Sequence, residues 1–69
     1  MRIKYFEDTD TTLVELSSNP PVETRELNEN IYLDLDSNGN VVSITIEHAS
    51  KSSDMREFLY QRIPVALPA

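Results

Sequence analysis

The run Asp34-Leu35-Asp36-Ser37-Asn38-Gly39 opens as a calcium-binding EF-hand loop does, with oxygen donors at its first, third and fifth places and glycine at its sixth. Such a loop completes its coordination with a bidentate glutamate at the twelfth place. Here that place holds Thr45, and no helix-forming pattern flanks the run, so an acidic hairpin turn is the expected structure. Asp34 and Asp36 stand two residues apart, which on a strand puts both carboxylates on one face with Cα atoms about 6.6 Å apart. Acid–base chemistry from the pair requires one pKa raised by burial or by the neighbouring charge. The polar face of a half-solvated sheet supplies little desolvation, so both carboxylates are expected to be wet.

His48 is the single histidine, and the chain has no cysteine, so an ordinary zinc site cannot be assembled around it. A triad of His48 with Ser50 or Ser43 and an aspartate lacks any nucleophile elbow, and His48 is expected to be an exposed loop residue. One glycine, Gly39, excludes the glycine-rich phosphate loops of nucleotide-binding proteins. These readings assign no catalytic residue, no metal ligand and no cofactor. The alternative to an inert surface is a small-ligand or divalent-metal site using Asp34, Asp36, Asn38 and Glu47.

The elements that would position these residues follow from side-chain periodicity. Ile3 and Tyr5 alternate with Arg2, Lys4 and Phe6; Glu7-Asp8-Thr9-Asp10 favours a turn; Thr11 to Leu16 favours a strand. Together they predict a first hairpin, which Pro20-Pro21 must end. Val22 to Leu27 is polar and weakly alternating, and predicts a short edge strand. The clearest pattern is the second hairpin. Ile31, Leu33 and Leu35 share one face, Tyr32, Asp34 and Asp36 the other, and Val42, Ile44 and Ile46 separate from Val41, Ser43 and Thr45 likewise. The aliphatic row is expected to be buried. Gly39 is placed for the positive φ of a type I turn with a G1 bulge.

From Asp54 the period changes, with Met55, Phe58, Leu59 and Ile63 on one helical stripe and Ser53 or Asp54 available as N-cap. A helix is therefore expected over 53–63, ended by Pro64, followed by an apolar tail over 64–69 that docks on its own sheet or on a neighbouring subunit. The predicted fold is α+β, a small antiparallel β-meander of four to five strands in successive hairpins with one short C-terminal helix. It forms one domain over 1–69, β-rich over 1–50.

Sixty-nine residues bury only about 60% of the surface their unfolded chain exposes. Without disulfides or metal, a homodimer or a bound partner is the expected source of further stability. Twelve acids against six basic residues give a net charge of −6, which repels nucleic acid and anionic membranes. Residues 1–47 hold ten acids against Arg2, Lys4 and Arg25, a balance of −7, whereas 48–69 balance at +1. A basic protein suits that first segment. The N-terminus shows no signal-peptide pattern, and a cytoplasmic location is expected.

Met1 to Phe6 with Asp8, Asp10 and Leu13-Val14-Glu15-Leu16, then Val22 to Leu27, Ile31 to Asp36, the Asn38-Gly39 turn and Val42 to Lys51, in that order, resemble the small bacterial family called domain of unknown function 2283. The resemblance spans residues 1–51. It implies a compact β-rich protein with no established activity and no recognised catalytic residues. It also implies proximity to genes for small toxin-like proteins, hence an antitoxin-like or other protein-binding role. Ser43 departs from the glycine common there, and the residues after Lys51 extend beyond where such chains often stop.

Overall fold

β-Branched and aliphatic residues at every second position make strands wherever prolines, the acidic turns and the glycine do not interrupt them. In the computed structural model, which describes residues 1–67, five strands form: β1 (Arg2–Phe6), β2 (Thr11–Glu15), β3 (Glu23–Asn28), β4 (Ile31–Leu35) and β5 (Val41–Ile46). One short helix follows, α1 (Ala49–Ser52). All strand pairs are antiparallel, in the order β1-β2-β5-β4-β3. Three tight hairpins, β1–β2, β3–β4 and β4–β5, are joined where β2 pairs with β5. The fold is the α+β sheet of successive hairpins expected from the pattern.

Residues 16–22 carry the chain from β2 across the ends of β5 and β4 to the far edge. Their backbone continues the ladder at both ends: Leu16 and Ser17 donate to the Val42 carbonyl, and Val22 donates to the Leu35 carbonyl at 2.8 Å. β3 thus pairs with β4 and forms an outer edge, exposed along its whole length. An irregularity between Glu26 and Asn28 and three charged side chains protect this edge from uncontrolled pairing. At the β4–β5 turn, Gly39 has φ +81°, its N–H donates to the Asp36 carbonyl, and the Asp36 N–H donates to the Asn40 carbonyl. This is the type I turn with a G1 bulge that the glycine predicted.

Cross-strand register divides the sheet into two faces. Ile3, Val14, Ile44 and Leu33 lie side by side across four strands, with Tyr5, Thr12, Ile46 and Ile31 in the next row. The opposite face carries Lys4, Leu13, Thr45, Tyr32 and Glu26 in one row, and Arg2, Glu15, Ser43, Asp34 and Thr24 in the next.

Three expectations are corrected. The aliphatic row is buried only at Leu35 and Val42; Ile31, Leu33, Ile44 and Ile46 are half-buried, because no second layer closes over the sheet. Asp36 is not wet but buried, 6% exposed. The helix expected over 53–63 does not form: the helix is Ala49–Ser52, and only a turn at Met55 and Arg56 follows it. Asp54 accepts the Arg56 N–H at 3.0 Å as an N-cap would, and also holds the Arg56 guanidinium. Eleven residues are too few to stay helical in water without packing, and Phe58, Leu59 and Ile63 remain largely exposed. The described part of the tail, Pro64 to Leu67, is exposed, while Pro68 and Ala69 lie outside the described residues.

Candidate functional site

Two aspartates at the Gly39 end of the sheet have every carboxylate oxygen committed. Asp36 Oδ1 accepts the N–H groups of Asn38 and Asn40, both at 2.9 Å, and Oδ2 accepts the Asn19 amide at 3.1 Å. The side chain therefore closes its own turn and ties it to the crossing segment 16–22. Asp34, on the polar face, accepts the Thr24 hydroxyl at 2.6 Å and the Ser43 hydroxyl at 2.7 Å, linking β3, β4 and β5. Hydrogen bonds hold both carboxyls below their ordinary value, chiefly from the Asn40 backbone for Asp36 and from Thr24 and then Ser43 for Asp34. A general acid needs the opposite shift, so this pair is suited to holding strands together. Thr45 lies in β5 opposite Tyr32, part of the ladder rather than of a metal loop. Among the described residues, no group of three or more His, Asp or Glu side chains converges as metal ligands would.

At the opposite end, Asp10 occupies the left-handed region at φ 55°. Its Oδ1 accepts the Tyr5 hydroxyl at 2.6 Å and the Ser50 N–H at 3.0 Å; Oδ2 accepts the Ser50 hydroxyl at 2.7 Å. Its carbonyl accepts the Ala49 N–H at 2.9 Å. These bonds seat α1 on the first hairpin. They lower the Asp10 pKa, Tyr5 first and then Ser50, with the nearby His48 charge adding to the effect. The Tyr5 hydroxyl is raised in turn, mainly by its bond to Asp10. His48, at φ 53°, is exposed as expected, its Nδ1 3.0 Å from Asn30 Oδ1. Ser50 donates to Asp10 and Ser43 to Asp34, so neither hydroxyl is aimed at His48. By local pattern Tyr5 is a strand residue and Asp10 a turn residue. Forty positions separate Asp10 from Ser50, and no local pattern signals that contact.

The polar face carries a further cluster, around Tyr32. Tyr32 in β4 pairs with Glu26 in β3 and Thr45 in β5, and Glu47 follows Thr45 by two residues on the same face. Both carboxylates are close enough to raise the Tyr32 hydroxyl, Glu47 most and Glu26 less. Among the described residues neither glutamate makes an ion pair, whereas Glu15 pairs with Lys4 at 3.0 Å and Glu23 with Arg25 at 3.0 Å. A half-buried ring between two unneutralised carboxylates presents negative charge beside a π face, the two features that attract a guanidinium or ammonium group. The exposed edge β3 borders it.

At the far edge of the aliphatic face, Met1, Ile3, Phe58 and Tyr60 line an open apolar cleft of about 580 Å³. No helix among the described residues is long and apolar enough to cross a membrane.

Comparison with curated proteins finds no match, and comparison with solved structures finds none either. A family model matches the chain, and the residues after Ser50 lie outside the match. That model, described as "Protein of unknown function (DUF2283)", covers residues 2–50, all five strands with the Tyr5, Asp10 and Ser50 bonds that seat α1, and the chain belongs to that family.

Proposed function

We propose that the protein is a non-enzymatic interaction module that holds a small basic protein, in an antitoxin-like manner, on its polar sheet face. Tyr32 between the unpaired Glu26 and Glu47 is the observation that carries this reading. Ten acids against three basic residues over 1–47 surround it with a field that speeds the approach of a cation and weakens with salt. The Ser43 and Ser50 hydroxyls and the Asp34 and Asp10 carboxylates are occupied in bonds that hold the fold together. A divalent-cation site at Asp34, Asp36 and Asn38 is disfavoured for the same reason, since the Asp36 and Asp34 oxygens already have their donors.

The test is capture of the purified protein encoded by the adjacent gene, at low and high ionic strength. Wild type should retain it at low salt, and the Glu26→Lys/Glu47→Lys variant should lose it at least tenfold, about 1.4 kcal/mol. Retention by the double variant equal to wild type, or no capture at either salt, would refute the reading.

A further inference from the structure

We infer that the aliphatic sheet face is the interface of a homodimer, with a second copy of this chain packed face to face on it and the two apolar C-terminal arms lying across the seam. The row Ile3, Val14, Ile44 and Leu33 crosses four strands, yet Ile3 is 39% exposed and its neighbours are only half-buried. Among the described residues only Leu35, Val42 and Ala49 are buried apolar side chains, and none of the larger ones is fully enclosed. A sheet that is apolar on one face needs a second layer, and the single chain provides only local cover, where Met55 lies 3.7 Å from the buried Thr12 hydroxyl.

Charge selects the occupant. A chain of net charge −6 repels itself over most of its surface. On the aliphatic face the charged strand residues are Glu23 and Arg25, and they neutralise each other at 3.0 Å. A second copy can approach there without facing uncompensated acid, whereas a basic partner would find nothing to pair with. Self-complementary apolar rows also suit a two-fold, isologous contact.

Area explains the arms. Five strands of about five residues present roughly 24 by 17 Å, on the order of 400 Å² per copy. A stable interface buries about 800 Å² per partner, so the sheet alone falls short by half. The arm supplies apolar surface of its own: Phe58 and Leu59 are each 68% exposed, and Phe58 and Tyr60 line the cleft with Ile3 and Met1. The radius of gyration, 15.0 Å, exceeds the about 11 Å of a compact chain of this length, as expected of an arm that stays largely exposed.

Sedimentation equilibrium of the full chain should give the mass of two 7.9 kDa chains. Ile3→Glu and Phe58→Ser/Leu59→Ser, both at exposed positions, should each raise the dissociation constant at least about tenfold with far-UV circular dichroism unchanged. In a sample mixing isotope-labelled and unlabelled chains, intermolecular nuclear Overhauser effects should join the methyls of Val14, Leu33 and Ile44. A monomer, a mass other than two chains, a dimer indifferent to both variants, or a dimer lacking those methyl contacts overturns the inference. The Glu26→Lys/Glu47→Lys variant should remain dimeric, so failure here is separable from failure of the basic-partner reading, which uses the opposite face.

Discussion

Residues 1–52 and residues 53–67 are both well supplied with apolar side chains, yet only the first stretch is fixed by contacts distant in sequence. Its strands share ladders with partners far along the chain, and its turns are locked by Asp10 and Asp36 reaching 40 and 17 residues away. The second stretch makes one distant side-chain hydrogen bond, from Thr12 to the Met55 sulfur at 3.7 Å, and its other bonds are local, from the Ser53 N–H to the Ala49 carbonyl and between Arg56 and Asp54. Apolar periodicity describes what a segment would bury. Whether it folds depends on a surface being present to bury it against, and on polar groups that fix its ends.

The largest break in that contrast should come from the small apolar core of the first stretch. Leu35→Ala, at 4% exposure between β3 and β5, should cost about 3 kcal/mol of unfolding free energy in urea titration. A loss below about 1 kcal/mol would mean that the polar bonds alone hold the sheet.

Acid should have the next effect, because it acts on the carboxylates that tie the first stretch together. Asp10, Asp34 and Asp36 each titrate below the ordinary 3.8 in the folded protein. The unfolded chain then takes up protons first, so their stabilisation is complete above about pH 4 and is lost as pH falls through the lower folded values. The urea midpoint should drop steeply below about pH 4, and Asp36→Asn should flatten part of that slope. A midpoint level between about pH 5 and pH 3 would contradict the bond geometry.

The smallest effect is expected in the second stretch. At dilutions where the chain is a single copy, Phe58→Ser/Leu59→Ser should change unfolding free energy by less than about 0.5 kcal/mol, as for exposed positions generally. A loss comparable to Leu35→Ala would show that the arm is part of the folded unit after all.

Much of the sheet was legible because a strand's period is a local property. Both hairpins, the exposed edge at β3 and the special backbone at Gly39 follow from residues within a few positions of one another. Asp36 was legible as a turn residue but not as a buried one. Alternation alone puts it on the wet face; the crossing segment brings Asn19 over it. The cluster around Tyr32 was equally hidden, since Glu26 and Glu47 come to either side of it only when β3 and β5 flank β4.

By itself the sequence determined the strands, their turns and the acidity of the first two-thirds of the chain, because each depends on neighbouring side chains or on composition. Only the tertiary structure decided that β2 lies against β5, that Asp10 seats the helix while Asp36 is enclosed, and that residues 53–63 remain without a helix. Those outcomes depend on which surfaces come together in space, and a one-dimensional pattern carries no information about a surface supplied from 40 residues away.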